Sequence, residues 1–104
     1  PLLHLQAGRI YAENGLVDSA KAAYQRCLAL QPAFPQAHYQ LGQLYFSQGQ
    51  APEAVAAFQE AVRLQPDFAE AYNDLGFVYR KFGELDRAQE AYLQAGSVGT
   101  KSKT

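Results

Sequence analysis

The sequence predicts an all-α protein made of three tandem helical hairpins, six helices in total. Two observations predict this class. A self-similarity recurs every 34 residues, and each copy holds two stretches whose apolar residues recur at helical spacing. The 104 residues are the size of one domain, and the hydrophobic content of 48% is enough to bury a core.

The repeat is defined by Gly8, Gly42 and Gly76, which coincide when the sequence is shifted by 34 residues. Six further sets coincide in the same register: Tyr11, Tyr45 and Tyr79; Gly15, Gly49 and Gly83; Ala20, Ala54 and Ala88; Tyr24, Phe58 and Tyr92; Cys27, Ala61 and Ala95; and Leu30, Leu64 and Val98. The register predicts a single domain over 1–98, with repeats at about 1–34, 35–68 and 69–98. We expect residues 99–104 to form a flexible tail.

The first helix of each repeat is predicted at 2–14, 35–48 and 69–82. Each one runs up to a glycine, Gly15, Gly49 or Gly83, which can adopt the left-handed conformation that ends a helix because it has no Cβ. These glycines therefore mark the turns between paired helices.

The second helices are predicted at 18–31, 52–65 and 85–96. Acidic residues suit their first turns because the helix N-terminus is positive, and Pro52 suits a first turn because its missing N–H would have no partner there. The Gln-Pro pairs at 31–32 and 65–66 end the first two of these helices, since proline disfavours helical geometry in the residue before it.

Charge and hydropathy narrow the classes of partner. Nine Lys and Arg against ten Asp and Glu give a formal net charge of -1, so we expect no binding to nucleic acid. No apolar run reaches the roughly 18 residues of a membrane span, so we expect no membrane insertion. The composition permits the cytoplasm without assigning a compartment. The chain starts at Pro1 and not at Met, and we expect it to be excised from a longer protein.

The titratable residues do not form a catalytic set, and we predict neither an enzyme nor a cofactor or metal site. His4 and His38 are the two histidines, and they occupy equivalent repeat positions, which favours packing over acid–base or metal chemistry. Cys27 replaces a small packing residue of the other repeats, and we expect it to be a buried structural thiol.

The repeat resembles that of the tetratricopeptide repeat family, whose unit carries Leu-Gly, Tyr, Gly, Ala, an aromatic, Ala and Pro in this order. Repeat two shows all of them: Leu41, Gly42, Tyr45, Gly49, Ala54, Phe58, Ala61 and Pro66. Repeat one departs at Ala7 and Cys27, and repeat three has Thr100 in place of the proline. The resemblance implies a right-handed α-solenoid whose first helices line a concave face.

The resemblance also implies which residues face that groove and bind a partner protein or peptide there. The predicted partner-binding residues are Gln6, Arg9, Tyr39, Gln40, Gln43, Phe46, Asn73, Asp74, Phe77 and Arg80. Among them, Gln6, Gln40 and Asp74 share one repeat position and are interpreted as a ladder that hydrogen bonds an extended peptide backbone. Ordinary solvated helix surface is the alternative for the amides, and a core role is the alternative for the aromatics.

A subset of the family clamps the C-terminal carboxylate of chaperone tails with lysine, asparagine and arginine at five groove positions. Those positions hold Leu5, Arg9, Gln40, Glu70 and Asp74 in this sequence. Two acids replace two cations and would repel a carboxylate, so this ligand is not expected.

Two other functions remain open. One is an interior or assembly segment of a longer solenoid that self-associates end to end, because neither end has the polar cap that a solenoid needs. The apolar residues there are Leu2, Leu3 and Leu5 at one end and Leu85, Tyr92 and Leu93 at the other. The other is a substrate-recognition module of a larger enzyme.

Overall fold

Six α-helices make up the structure, a computed structural model that describes the backbone of residues 1–103 and the side chains of residues 1–97. The helices are α1 (Leu2–Glu13), α2 (Val17–Leu30), α3 (Pro35–Ser47), α4 (Ala51–Leu64), α5 (Ala69–Lys81) and α6 (Leu85–Lys103). Each odd-numbered helix packs most extensively on the helix that follows it. The predicted all-α class with three helical hairpins is confirmed.

The predicted helix ends lie close to those observed, except at the end of α6. This helix extends over Leu85–Lys103, where the sequence pattern ends it at 96. The loss of apolar periodicity in the Gly/Ser/Lys segment predicts the earlier end, although isolated glycines do not forbid helical geometry. The prediction of a flexible tail at 99–104 falls outside the residues whose side chains are described.

Glycine ends the first helix of each hairpin as expected. Gly15, Gly49 and Gly83 have φ of 75°, 75° and 81°, in the left-handed region. In the second hairpin, the Gly49 N–H donates to the Phe46 carbonyl at 3.0 Å and the next N–H donates to the Tyr45 carbonyl at 2.9 Å. This pair of bonds is a Schellman motif, which satisfies carbonyls that the helix end would leave without a partner.

The second helices also begin and end for the predicted reasons. Asp18, Glu53 and Asp86 lie in their first turns, and Pro52 lies within the first two positions of α4. At the C-terminus of α4, Gln65 has φ -135° and ψ 88°, which is the extended conformation that a following proline imposes. Proline thus directs the chain from one hairpin into the next.

The two helices of a hairpin pack through a glycine and an aromatic ring. A Cβ added to Gly42 would lie 2.7 Å from Cε1 of Phe58, and Phe58 is only 1% exposed. Tyr24 lies against Gly8 and Tyr92 against Gly76 in the same way. The absence of a side chain at this position therefore lets each ring lie against the backbone of the first helix.

Neighbouring hairpins pack through α2 with α3 and through α4 with α5, and the buried apolar residues form two clusters that both contact the half-buried Tyr45. Over the described residues, no helix is both long enough and apolar enough to cross a membrane.

Candidate functional site

The first helices of the three hairpins line the inner side of the stack. α1 contacts α3, and the Phe46 ring of α3 lies 5.5 Å from the Phe77 ring of α5, measured between centroids. The second helices α4 and α6 are instead separated by a groove whose base is lined by Leu75 and Tyr79 of α5. Because the stack is closer along its first helices, it curves toward them, and α1, α3 and α5 form the concave face.

An open cavity of about 350 Å³ lies on this face between α3 and α5, and we call it the aromatic cavity. Its lining residues are Gln43, Phe46, Phe58, Asp74, Phe77 and Val78. The rings of Phe46 and Phe77 meet edge to face at 88°, the arrangement in which the positive edge of one ring meets the negative face of the other. Phe77 remains 42% exposed, so part of this apolar surface is open to solvent.

Two cations lie over the rings of the cavity. The Cζ atom of Arg80 is 5.5 Å from the Phe77 centroid, and the Nζ atom of Lys81 is 5.6 Å from the Phe46 centroid. Both distances allow a cation–π interaction. The ion pair observed among the described side chains joins Arg63 to Glu60, and neither cation of the cavity has a carboxylate within ion-pair distance there.

A hydrogen-bonded group of three side chains borders the cavity on its other side. The Nε2 atom of Gln43 donates to the hydroxyl of Tyr39 at 3.0 Å and to Oδ2 of Asp74 at 3.3 Å. Burial raises the pKa of the Tyr39 phenol well above its usual value, and a hydrogen bond with Asp74 and the charges of Asp74 and Glu70 raise it further. Tyr39 therefore stays protonated and joins the aromatic core to the polar rim.

The Tyr39 ring itself belongs to the core and not to the open groove. It is 8% exposed, and its centroid lies 5.7 Å from that of Phe58 and 4.8 Å from that of Phe68. Of the three aromatic residues predicted to bind a partner, Tyr39 is therefore a core residue. Phe77 is exposed in the groove and Phe46 is half-buried.

The observed side-chain contacts between α3 and α5 do not join repeat equivalents: two join residues 31 apart in sequence, and the Lys81–Phe46 contact joins residues 35 apart. Gln43 pairs with Asp74, and Phe46 pairs with Phe77. Asp74 therefore meets Gln43, the residue one turn further along α3, and not its repeat equivalent Gln40.

The other four predicted residues do not line the aromatic cavity. Gln6 and Arg9 line a separate cavity of about 270 Å³ on α1, together with Ile10 and Glu13. Gln40 is half-buried and Asn73 is exposed. The structure thus brings six of the ten predicted residues to the α3–α5 junction: Tyr39, Gln43, Phe46, Asp74, Phe77 and Arg80.

Residues outside the predicted ten also contribute to the site. Lys81 could have been included from sequence, because it follows Phe77 by four residues and so shares its helix face. Phe58 and Val78 are core positions in the repeat pattern, and no sequence signal shows that their edges reach the cavity.

Cys27 and His38, two residues whose side chains could in principle take part in catalysis, both lie in environments typical of structural residues. Cys27 is fully buried, and this burial raises the pKa of its thiol, which disfavours the nucleophilic thiolate. His38 is half-buried, and its Nε2 atom is 3.0 Å from the Pro32 carbonyl oxygen. Among the residues whose side chains are described, no three His, Cys, Asp or Glu side chains are grouped to hold a metal ion.

Comparisons with solved structures show the same fold. The crystal structure of MamA is similar over 96% of this chain, with a TM-score of 0.94 and 27% identity, and the chain spans 58% of the MamA chain. The first TPR of Spaghetti (RPAP3), bound to the HSP90 peptide SRMEEVD, is similar over 93% of this chain and 77% of its own, with a TM-score of 0.89 and 22% identity. The second TPR of the same protein, bound to the same peptide, has a TM-score of 0.88 and 18% identity, over 93% of this chain and 90% of its own.

Comparisons of sequence identify the family. A search of curated protein sequences finds no match to this chain. The sequence profile described as TPR repeat matches twice, over residues 8–49 and 42–83, and together these matches cover more than half of the chain. With its three stacked helical hairpins and their recurring glycine–aromatic contacts, the chain belongs to the TPR repeat family.

Proposed function

We propose that this chain is a protein–protein interaction scaffold that holds a peptide or an extended segment of a partner protein in its concave groove. The observation that carries the proposal is the aromatic cavity, where Phe46 and Phe77 leave apolar surface open beside polar and charged side chains. Binding sites in proteins combine such an apolar centre with a few polar groups that orient the ligand.

The family and the fold support an interaction role. The TPR repeat family typically supplies protein-interaction modules without enzymatic activity. Two solved structures of this fold hold a peptide, the HSP90 segment SRMEEVD. We propose the same general mode here, a peptide on the concave face, with the ten predicted residues as its contacts and the α3–α5 junction as its centre.

A selection from a displayed library of random peptides tests this function. The groove variant for the test is Phe46→Ala with Phe77→Gln, since Ala12 and Gln43 occupy the equivalent positions of the preceding repeats. These substitutions use side chains that the stack already accepts elsewhere. We expect peptides selected on the native chain to lose at least about tenfold in affinity for the groove variant, because bound apolar anchors carry most of the binding energy.

The matched control removes two exposed apolar side chains away from the groove, Phe82→Ala with Leu93→Ala. Phe82 is 57% exposed and Leu93 is 65% exposed. Circular dichroism of both variants checks that they keep the helicity of the native chain. The proposal is wrong if the selected peptides bind the groove variant as tightly as the native chain.

End-to-end association is a second candidate function. It is supported by apolar residues at the ends of the stack, which are more exposed than the residues at the same repeat positions inside the stack. Leu3 is 75% exposed and Ile10 is 58% exposed. Their equivalents within the stack are buried: Ala37 and Ala71 are 0% exposed, Leu44 is 7% exposed and Val78 is 2% exposed. At the other end, Tyr92 is 36% exposed where Phe58 is 1% exposed. We propose that a further helical hairpin covers these ends, from a flanking repeat or from a second copy of this chain.

Light scattering over a range of concentrations tests the version with a second copy. If the chain self-associates, its average mass rises with concentration. The rise should be smaller for the double variant Leu3→Gln with Ile10→Gln than for the native chain. A constant monomer mass would contradict it.

A further inference from the structure

We propose that the α3–α5 junction recognises a short internal peptide motif in which a bulky apolar side chain is followed closely by carboxylates. The apolar side chain enters the aromatic cavity, and the carboxylates pair with Arg80 and Lys81. This inference rests on the proposed peptide-binding function and assigns its ligand class.

The size and lining of the cavity suit one apolar anchor. Its volume of about 350 Å³ is near the lower limit of ligand sites, which span roughly 300–1,000 Å³. Phe46, Phe58 and Phe77 supply three aromatic rings to the lining, and Val78 adds an aliphatic surface. Such a site takes one or two side chains and not a whole folded surface.

The charges on the two sides of the cavity have opposite sign. Arg80 and Lys81 lie over the rings toward the C-terminal end of α5, exposed and without a carboxylate partner among the described side chains. On the N-terminal side, Asp74 is held by Gln43, and Glu70 lies one turn further away. An acidic side chain next to the anchor is therefore attracted on one side of the cavity and repelled on the other, which sets the orientation of the peptide.

The equivalent junction between α1 and α3 shows that stacking does not require these residues. Where the α3–α5 junction has Phe46 and Phe77, the α1–α3 junction has Ala12 and Gln43. Where Arg80 and Lys81 supply cations, the preceding repeat has Phe46 and Ser47. The cluster of rings and cations is thus a property of one junction in this chain and not of the fold, which is why we assign it a ligand.

The proposed recognition does not require a free C-terminus. The five groove positions that clamp a terminal carboxylate in relatives hold Leu5, Arg9, Gln40, Glu70 and Asp74, and Leu5 is buried. Arg80 and Lys81 occupy other positions, near the end of α5. A side-chain carboxylate within a partner segment satisfies them equally well.

Four synthetic peptides with acetylated and amidated ends test the motif, because blocked ends remove terminal charges. All share the same Gly/Ser flanks: one has phenylalanine followed by two glutamates, the second has two glutamines there, the third has two lysines, and the fourth has alanine followed by two glutamates. We expect the first to bind the native chain roughly tenfold more tightly than the second, since two exposed ion pairs together contribute about that factor in affinity. The preference should shrink in about 1 M salt, where the screening length is about 3 Å.

Charge reversal provides the decisive comparison. Arg80→Glu with Lys81→Glu should favour the lysine peptide over the glutamate peptide. The matched control, Arg26→Glu with Arg87→Glu, makes the same change in net charge on the outer helices and should keep the native preference.

The inference is overturned if the glutamate peptide does not bind, if the phenylalanine peptides bind equally, if the alanine peptide binds as well as its phenylalanine counterpart, or if the control variant reverses the preference as well. The library selection judges the proposed function separately. Selected peptides that depend on Phe46 and Phe77 but carry no acidic residue would leave the function standing and remove this ligand class.

Discussion

The side chain of Gln43 on α3 donates a hydrogen bond from Nε2 to Oδ2 of Asp74 on α5, at 3.3 Å. The bond joins the inner helices of the second and third hairpins at the rim of the aromatic cavity. It also occupies the Asp74 carboxylate, which the repeat register predicts to be a rung of a ladder for a peptide backbone.

The Gln43–Asp74 bond should couple the two residues energetically. In a double-mutant cycle with Gln43→Ala and Asp74→Ala, we expect a coupling free energy of about 0.5–1 kcal/mol, because the bond involves a charged acceptor but is exposed to solvent. Urea unfolding of the four proteins measures it. As a control, the cycle between Gln40→Ala and Asp74→Ala should give a smaller coupling free energy. A larger coupling for Gln40 than for Gln43 would show that Asp74 pairs with its repeat equivalent.

Packing between Gly42 and Phe58 should make the glycine intolerant of any side chain. Gly42→Ala places a Cβ 2.7 Å from the Phe58 ring and should lower the free energy of unfolding by roughly 1–3 kcal/mol. Gly96→Ala on α6 is the control, since among the described residues an added Cβ there comes within 4 Å of nothing beyond the backbone of its own helix, and alanine favours the helix by up to about 1 kcal/mol. Equal urea midpoints for Gly42→Ala and the native chain would contradict the packing.

Alkaline pH should weaken the fold in part through Tyr39. Its pKa in the folded chain is raised, first by burial and then by Asp74 and Glu70, above the value of about 10 expected when unfolded. Its contribution to stability is therefore fully present below about pH 10 and is lost as pH rises from there toward the folded pKa, because the unfolded chain releases the proton first. Tyr39→Phe should show a shallower fall of unfolding free energy above pH 10, measured by urea denaturation. An unchanged pH dependence would contradict the assigned environment.

Cys27 should react only when the chain unfolds. The residue is fully buried and the pKa of its thiol is raised, so both access and the thiolate population are low in the folded state. A colour-forming aromatic disulfide reagent should react slowly with the native chain and rapidly in concentrated urea. Rapid reaction under native conditions, at the rate of a free thiol, would disprove the buried assignment.

Much of the fold could be predicted because its signals are local. Gly49 and the Gln-Pro pair at 65–66 determine where helices end through backbone conformation alone, and the structure shows the expected φ at Gly49 and the expected φ and ψ at Gln65. The end of α6 could not be predicted from the loss of apolar periodicity, since a helix can continue without a buried face.

The groove was less predictable because it depends on how one hairpin is displaced against the next. The 34-residue register correctly places Gln43, Phe46 and Phe77 on inner helices, but it pairs Gln40 with Asp74. In the structure, Gln43 is instead the partner of Asp74, and Phe46 lies against Phe77. Nothing in a single repeat indicates which residues of neighbouring hairpins pair.

The most direct test of the proposed function is to map a bound peptide by nuclear magnetic resonance. The isotope-labelled chain is titrated with a peptide selected from the displayed library, and amide shifts are followed residue by residue. Binding at the concave face predicts the largest shifts around Gln43, Phe46, Phe77 and Arg80. Shifts confined to the outer groove around Gln59 and Arg87, with the inner helices unchanged, would contradict it.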